Sequence, residues 1–261
     1  MSMKRDAVMK IFVISIEDEK SPRLKKFLAQ AFFEKGQVRV TKIGIKGGDL
    51  SAKEYFELGV KGRSKPLSPS MVGCTLSHLA ALKEFLSTDE QYALIMEDDA
   101  ILPDDLTIGK LLAALTTLKL PTNTLFSIGG IRMKECQKVR GNILDQEFLS
   151  QKILKVSPDF YQRICYAVAY IVDREIAQTL IDYHCPLRAA DDWRYLTDFN
   201  ESASIWMTAI VDHPIITAGE QNSQLSSIEQ ERVKSSDVPM SRFGTPLRYN
   251  IAKFLYKKYP K

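Results

Sequence analysis

The segment from Tyr92 to Asp99 constrains the fold of this chain more than any other stretch, because it places three acids directly after a buried strand. Its first five residues are mostly apolar and rich in branched side chains, which is typical of a strand inside an α/β sheet. Burying like charges together is costly, so Glu97, Asp98 and Asp99 are expected at the strand end, facing water or a cation. This strand end is the first candidate site.

A hard divalent cation such as Mn²⁺ or Mg²⁺ would hold these carboxylates together, because both ions prefer oxygen ligands. The alternative is an exposed acidic loop without chemistry. The pair Asp104 and Asp105, a few residues further on, shows that the chain also places acids together elsewhere. The acids alone leave both interpretations open.

Apolar strands and amphipathic helices alternate along most of the chain. Strands are predicted at residues 10–16, 38–45, 92–96, 124–130, 153–156, 164–172 and 205–211. Helices are predicted at 22–36, from about 75 to 86, at 108–118 and after Asp173, which is a candidate cap. Residues 134–145 are polar and predicted to be irregular. This alternation predicts one α/β sheet covered by helices on both faces.

The composition is that of a globular protein, with 261 residues, 45% hydrophobic and 26% charged. The longest apolar run, residues 166–172, is far shorter than the ~20 residues of a membrane-spanning helix. No apolar stretch of signal-peptide length precedes the first strand, so secretion is not expected. The four cysteines form no close pair and, with only three histidines, no zinc spacing is evident. Reduced thiols in a cytoplasmic protein are therefore expected.

The segment around Gly73 has small residues where a helix is predicted to begin, near Thr75. Exposed amides at a helix start can bind a diphosphate, so Gly73 and Ser77 are candidates for an anion cradle. The alternative for Gly73 is a plain turn glycine. His78 follows in the same helix, where it could touch a ligand or serve as a hydrogen-bonded structural histidine.

The last 30 residues carry a large excess of basic over acidic side chains. Residues 232–261 contain eight lysines and arginines and one aspartate, although the whole chain carries only +4. Aromatic and aliphatic residues alternate with the cations between Arg242 and Lys261. We therefore predict a domain over residues 1–231 and a basic, amphipathic tail over 232–261 that contacts an anionic membrane surface. A terminal helix packed on the domain is the alternative, and no nucleic-acid partner is expected.

Several motifs resemble those of glycosyltransferase family 25, the lipooligosaccharide galactosyltransferase group, in both order and spacing. They are Val13-Ile14-Ser15-Ile16 with Arg23, Gly73-Cys74-Thr75-Leu76-Ser77-His78-Leu79, Ala93-Leu94-Ile95-Met96-Glu97-Asp98-Asp99, Ala169-Tyr170-Ile171-Val172 with Ala177, Asp191-Asp192-Trp193, and Gln224-Leu225-Ser226-Ser227-Ile228 before Arg232. The second motif followed closely by a strand ending in Glu-Asp-Asp is the most specific combination. The resemblance spans roughly Ile11 to Arg232.

The resemblance implies a GT-A type fold with a mixed central sheet, a UDP-sugar donor and a Mn²⁺ or Mg²⁺ ion. It implies inverting transfer of a hexose, usually galactose and otherwise glucose, to a lipopolysaccharide core sugar. The acceptor would be a lipid-linked oligosaccharide, so the protein is expected in the cytoplasm, peripheral on the inner face of the bacterial inner membrane.

The resemblance also suggests roles for individual residues. The metal ligands would be Asp99, Glu97 and His213, although the sequence favours a plain loop residue for His213. Nucleotide binding would involve Ile14, Ser15 and Ile16 around the uracil, Arg23 at a phosphate, Asp98 at the ribose or the metal's water shell, and His78. Ser226, Ser227 and Arg232 would form a late flap over the diphosphate.

An inverting transferase needs a carboxylate that takes the proton of the attacking hydroxyl. Asp191 and Asp192 form a second acidic cluster and are the candidates, and the family's acid before an aromatic residue favours Asp192. The alternative is a solvated loop anchored by Trp193. Two other functions compete with the transferase. A metal-dependent nucleotidyltransferase or phosphohydrolase would use the same acids at the strand end, whereas a non-catalytic, membrane-docked scaffold would use none of them.

Overall fold

The structure, a computed structural model, describes residues 9–36, 38–214 and 243–260. Within these residues a nine-stranded sheet has helices packed against it. Its strands are β1 (Met9–Ile14), β2 (Val40–Ile43), β3 (Tyr92–Glu97), β4 (Thr124–Gly129), β5 (Arg140–Phe148), β6 (Gln151–Val156), β7 (Ala169–Asp173), β8 (Ser204–Val211) and β9 (Lys257–Lys258). The strand order is β2-β1-β3-β7-β4-β8-β6-β5-β9.

The first half of the sheet brings two strand ends together. β1 pairs in parallel with both β2 and β3, and Ile14 at the end of β1 is opposite Glu97 at the end of β3. Ser15 and Asp98, the next residue of each chain segment, therefore leave the sheet side by side. Ligands of α/β sheets bind at such carboxyl ends.

The second half of the sheet is mostly antiparallel. β7 lies between β3 and β4 and is antiparallel to both, whereas β4 and β8 are parallel. β6, β5 and β9 then complete the edge in antiparallel pairs. The mixed sheet with its helices confirms the predicted α/β class with a mixed central sheet.

The helices surround the apolar strands. They are α1 (Pro22–Leu28), α2 (Ala31–Gly36), α3 (Ala52–Tyr55) with a π-helical turn (Phe56–Val60), α4 (Pro69–Leu86), α5 (Ile108–Leu118), α6 (Arg174–Tyr183), α7 (Leu196–Phe199) and α8 (Pro246–Leu255). Side-chain caps begin several of them: the predicted cap Asp173 accepts a hydrogen bond from the Ile176 amide at 2.8 Å. No helix in the described part of the chain is both long and apolar enough to cross a bilayer.

Three local predictions are corrected. The helix predicted from about Thr75 begins at Pro69, because Ser68 caps it and Pro69 occupies the first turn. Residues 134–145 are not wholly irregular, since β5 begins at Arg140 and its exposed positions account for the polar sequence. The strand predicted from residue 164 begins at Ala169, because Tyr166 has a φ of 73° that no strand tolerates.

The described part of the C-terminal segment is attached to the sheet. β9 pairs with β5, and the Tyr249 ring of α8 lies 5.2 Å from the Phe160 ring, centroid to centroid. The buried Asp159 accepts hydrogen bonds at 3.0 Å from both the Gly244 amide and the Arg248 guanidinium. The predicted domain boundary between residues 231 and 232 lies outside the described residues.

Candidate functional site

A cavity of about 790 Å³ opens at the carboxyl ends of β1 and β3. Its walls come from these strand ends, α1, residues 45–49 and the first turns of α4. The predicted nucleotide-binding residues that line it are Ile14, Ser15, Ile16, Arg23, Ser77 and Asp98, joined by the predicted metal ligands Glu97 and Asp99. The structure therefore brings together residues up to 85 positions apart in the sequence, from Ile14 to Asp99.

The carboxylate of Asp98 is almost fully engaged by residues of the same protein. Ser15 Oγ donates a hydrogen bond to Asp98 Oδ2 at 2.5 Å, and Arg23 donates two to Oδ1, from Nε at 2.8 Å and from Nη2 at 2.5 Å. Burial raises the pKa of Asp98 above its usual range, although Ser15 and Arg23 both oppose the rise. Asp98 thus anchors α1 to the end of β3.

Asp99 has a different environment, because one of its oxygens has no partner among the described residues. Oδ2 lies 3.4 Å from His213 Nε2 and 3.2 Å from Arg23 Nη2, while the buried Oδ1 accepts no hydrogen bond from this part of the chain. Burial alone would raise the pKa of Asp99, but His213 and Arg23 outweigh it, so the pKa is lowered. The same contact raises the pKa of His213 despite burial.

These residues fit a divalent cation at Asp99. A buried carboxylate oxygen without a hydrogen-bond partner is rare and needs an explanation, and a cation is one of the usual ones. Asp99 Oδ1 and the His213 imidazole offer the oxygen and nitrogen ligands that Mn²⁺ accepts. Asp98 fits less well, since Ser15 and Arg23 already hold its oxygens.

Glu97 has partners of another kind. Its Oε1 lies 3.4 Å from His78 Nε2, and the other ring nitrogen, Nδ1, lies 2.8 Å from the Tyr170 hydroxyl. The Cys74 thiol, one helical turn before His78, completes a group whose three ligand atoms lie within 4.8 Å of one another. His78 and Tyr170 are buried, while Cys74 and Glu97 reach the cavity wall.

The predicted anion cradle at Gly73 is wrong. Because α4 begins at Pro69, the Gly73 amide lies inside the helix rather than at its exposed start. A Cβ on Gly73 would lie 2.4 Å from the Gly47 nitrogen, so this glycine allows the loop at residues 45–48 to pack against α4. Ser77 holds the same loop, accepting a 2.8 Å hydrogen bond from the Ile45 amide and donating one to the Gly73 carbonyl.

The two candidate bases lie apart from the cavity lining. Asp191 Oδ2 accepts a hydrogen bond from the Tyr166 amide at 3.0 Å, and the Tyr166 ring is 5.5 Å from that of His213, centroid to centroid. Asp192 Oδ1 accepts a 2.7 Å hydrogen bond from Arg194. Asp191 is therefore linked through one residue, Tyr166, to the Asp99 and His213 pair.

Some cavity residues gave no signal in the sequence. Lys26, Lys46 and Asp49 line the cavity, as do Gly47 and Gly48. A glycine pair directly after a strand was the one available clue. The predicted flap residues Ser226, Ser227 and Arg232 lie outside the described residues.

Comparison with known protein families identifies the family of this chain. The model of glycosyltransferase family 25, described as an LPS biosynthesis protein family, matches residues 8–194. The chain belongs to glycosyltransferase family 25. This confirms the resemblance of the motifs from Val13 to Trp193, while the motif at residues 224–228 lies outside the match. Membership in family 25 makes the chain a glycosyltransferase of lipopolysaccharide biosynthesis.

Similarity outside family 25 is distant. The comparison with curated proteins gives no match. Among solved structures, the chain is similar to mannose-1-phosphate geranyltransferase from Thermus thermophilus, with a TM-score of 0.36 and 11% identity. That similarity covers 79% of this chain and 75% of the other. At this level it adds nothing about function.

Proposed function

We propose that this protein transfers a hexose, galactose first and glucose next, from a UDP-sugar to a lipopolysaccharide core acceptor with inversion at the anomeric carbon. The observation that carries the proposal is the buried Oδ1 of Asp99 beside His213, which has no hydrogen-bond partner among the described residues and lies at the edge of the cavity of about 790 Å³. This volume lies within the ~300–1,000 Å³ of ligand pockets. A pocket of that size beside a metal-ready carboxylate suits a nucleotide-sugar diphosphate.

Asp99 and His213 would hold the divalent cation. When bound, the cation supplies Lewis-acid stabilisation of the negative charge on the departing diphosphate. Arg23 contributes a second positive charge at the same wall, because its guanidinium contacts both Asp98 and Asp99. Ile14, Ser15 and Ile16 are proposed to border the nucleoside.

We assign the general base to Asp191 rather than Asp192. Asp192 is paired with Arg194 at 2.7 Å, and that pairing competes with an acceptor hydroxyl for its Oδ1. Asp191 is hydrogen-bonded to the Tyr166 amide, next to the ring that contacts His213. We propose that this position, one residue away from the Asp99 and His213 pair, lets Asp191 meet the acceptor hydroxyl.

The central test is product analysis with a panel of UDP-hexoses, a lipopolysaccharide core acceptor and Mn²⁺. A transferase releases UDP and extends the acceptor by one hexose with inverted configuration. Release of pyrophosphate or inorganic phosphate would support the nucleotidyltransferase or phosphohydrolase instead. A protein that consumes no donor and gives no calorimetric heat with UDP and Mn²⁺ would be a scaffold.

Asp99→Asn tests the metal assignment. It is expected to abolish the heat of UDP binding in Mn²⁺ and nearly all transfer, while its circular dichroism is unchanged. Asp105→Asn is the matched control, because Asp105 is an exposed acid whose partner Lys110 is also at the surface. Full turnover of either variant in the presence of a metal chelator would contradict a metal-dependent reaction.

Paired amide variants test the base. Asp191→Asn is expected to lower kcat by about 10²–10⁴ with little change in KM for the donor, the range for a lost general base. Asp192→Asn changes the same charge in the adjacent residue and is expected to keep most activity. The reverse result would assign the base to Asp192. If neither variant loses activity, both residues are excluded as the general base.

We also propose that α8 contacts the membrane that carries the acceptor. Leu247, Ile251, Phe254 and Leu255 recur at helical spacing on its outer face and are 73%, 51%, 91% and 70% exposed. The opposite face is packed on the domain through Tyr249 and Ala252. Exposed apolar side chains in such a stripe mark an interaction surface.

The charges around α8 favour an anionic lipid surface as the partner. Lys253 is on the helix, and the exposed Lys257 and Lys258 follow it in β9. Each such cation contributes about 1 kcal/mol near an anionic bilayer. This surface would keep the protein on the inner face of the bacterial inner membrane, where lipid-linked acceptors are made.

Vesicle co-sedimentation tests this contact. Phe254→Ser should reduce binding to phosphatidylglycerol vesicles, while Phe56→Ser, which alters a 51% exposed phenylalanine elsewhere, should not. Point changes are preferred to deletion, since β9 and Ala252 belong to the folded domain. Equal binding of both variants and the unaltered protein would exclude α8 as the contact.

A further inference from the structure

The cluster Cys74, His78 and Glu97 has the composition of a transition-metal site. Cys74 and His78 are one turn apart on α4, so their side chains share a face, and Glu97 reaches them from the end of β3. Among the residues that the structure describes, this is the one group of three such side chains with ligand atoms within 4.8 Å of one another. A thiolate, an imidazole and a carboxylate are ligands of Zn²⁺.

The distances are close to those that a tetrahedral ion requires. Bonds of about 2.1 Å from zinc to nitrogen and oxygen place two ligand atoms about 3.4 Å apart. His78 Nε2 and Glu97 Oε1 already lie 3.4 Å apart. The Cys74 sulfur lies within 4.8 Å of both atoms, and a zinc–sulfur bond of about 2.3 Å requires a separation of about 3.6 Å.

Tyr170 supplies the support that a metal-bound histidine needs. Its hydroxyl lies 2.8 Å from His78 Nδ1, and both side chains are more than nine-tenths buried. A ligating histidine usually donates its second ring N–H to such a partner, which fixes the tautomer and leaves the other nitrogen for the metal. With Nδ1–H donated to Tyr170, Nε2 presents its lone pair to Cys74 and Glu97.

We propose that Cys74, His78 and Glu97 bind a borderline-soft divalent cation of the Zn²⁺ type, at a site separate from the Asp99 and His213 pair. Cys74 and Glu97 line the cavity, so the fourth coordination position opens onto it and takes water. The ion would join α4 to β3 across the cavity wall. Glu97 then belongs to this site rather than to the manganese ligands predicted from the sequence.

Cobalt titration of the metal-free protein tests the site without any activity measurement. One equivalent of Co²⁺ is expected to give a thiolate-to-cobalt charge-transfer band in the near ultraviolet and the strong visible bands of a four-coordinate ion. Added Zn²⁺ should remove both. Zn²⁺ should also protect Cys74 in the unaltered protein from iodoacetamide, measured by peptide mass spectrometry.

Variants separate the ligands from other residues. Cys74→Ser should lose the charge-transfer band, and His78→Gln and Glu97→Gln should weaken Co²⁺ binding by about a hundredfold or more. Tyr170→Phe, which removes only the supporting hydroxyl, should weaken it by about 10–100-fold. Cys185→Ser is the matched control, since Cys185 is an exposed free cysteine that is not one of the three ligands.

Three results would overturn the proposal: no charge-transfer band, a band that survives Cys74→Ser, or iodoacetamide labelling of Cys74 that Zn²⁺ does not slow. The iodoacetamide labelling uses the unaltered protein, so this test remains valid even if a substitution impairs folding. His78 would then be a structural residue bonded to Tyr170 and Glu97. Asp99→Asn should keep the cobalt bands, so failure of the proposed transferase reaction and failure of this site are distinguishable.

Discussion

Replacing Arg23 by Met tests whether the acidic strand end depends on this one cation for its stability. Arg23 makes two hydrogen bonds to Asp98 and one to Asp99, and the side chains of Arg23 and Asp98 are 22% and 7% exposed. In Arg23→Met the Asp98 carboxylate retains Ser15 as its hydrogen-bond partner but loses its counter-charge. Methionine preserves most of the side-chain volume, so the change is mainly electrostatic.

The size of the effect follows from the cost of an unpaired buried charge. Removing one partner of a buried ion pair costs about 3–5 kcal/mol of unfolding free energy. The lower end, about 3 kcal/mol, is expected here, because Ser15 remains and the cavity admits water from one side. Asp98→Asn in the Arg23→Met background should recover about 1–2 kcal/mol, since a neutral amide no longer needs the cation.

Urea unfolding of the metal-free proteins, followed by circular dichroism and by the buried Trp193 and Trp206, measures these differences. Lys25→Met is the control, because Lys25 is an exposed cation on the same helix; a change within about 0.5 kcal/mol is expected. The reasoning is refuted if Arg23→Met costs less than about 1 kcal/mol, or if the double variant is no more stable than Arg23→Met.

Three further predictions concern packing, pH and capping. Gly73→Ala should lower both stability and UDP affinity by pushing the Gly47 loop off α4, whereas Gly109→Ala, with no atom closer than 4.0 Å, should leave both nearly unchanged in urea unfolding and calorimetry. Burial lowers the pKa of His184, so unfolding below pH ~6.5 takes up a proton at this residue. The contribution of His184 to the free energy of unfolding is therefore full above pH ~6.5 and is lost as the pH falls. His184→Gln should reduce this loss, measured by urea unfolding between pH 7 and 5. Asp173→Ala should cost about 1 kcal/mol by removing the cap of α6, and an unchanged urea midpoint would contradict the capping role.

Much of the fold was accessible from local pattern. The predicted strands at residues 92–96 and 205–211 and the helix at 108–118 match β3, β8 and α5 to within one residue. These elements have a hydrophobic period that is read directly along the chain. The errors fell where the pattern was weak: the polar β5 was missed, and α4 began earlier than predicted because its Ser-Pro start resembles a loop.

The candidate site was only partly accessible. The acids at Asp98 and Asp99 were predicted together, but their different environments were not, since Ser15, Arg23 and His213 come from distant parts of the sequence. The link between Cys74, His78 and Glu97 was missed for a related reason. Two of its members share one turn of a helix, but the third joins them only through the packing of α4 on β3.

The sequence by itself determined the elements, the family and the acidic end of one strand, because these depend on residues that are neighbours along the chain. The tertiary structure decided which carboxylate is held by Arg23, which keeps an unpartnered oxygen and which faces a histidine and a thiol. The physical reason is that charge, hydrogen bonding and desolvation act over a few ångströms of space. Residues separated by more than a hundred positions, such as Asp99 and His213, come within that distance only after the sheet has formed.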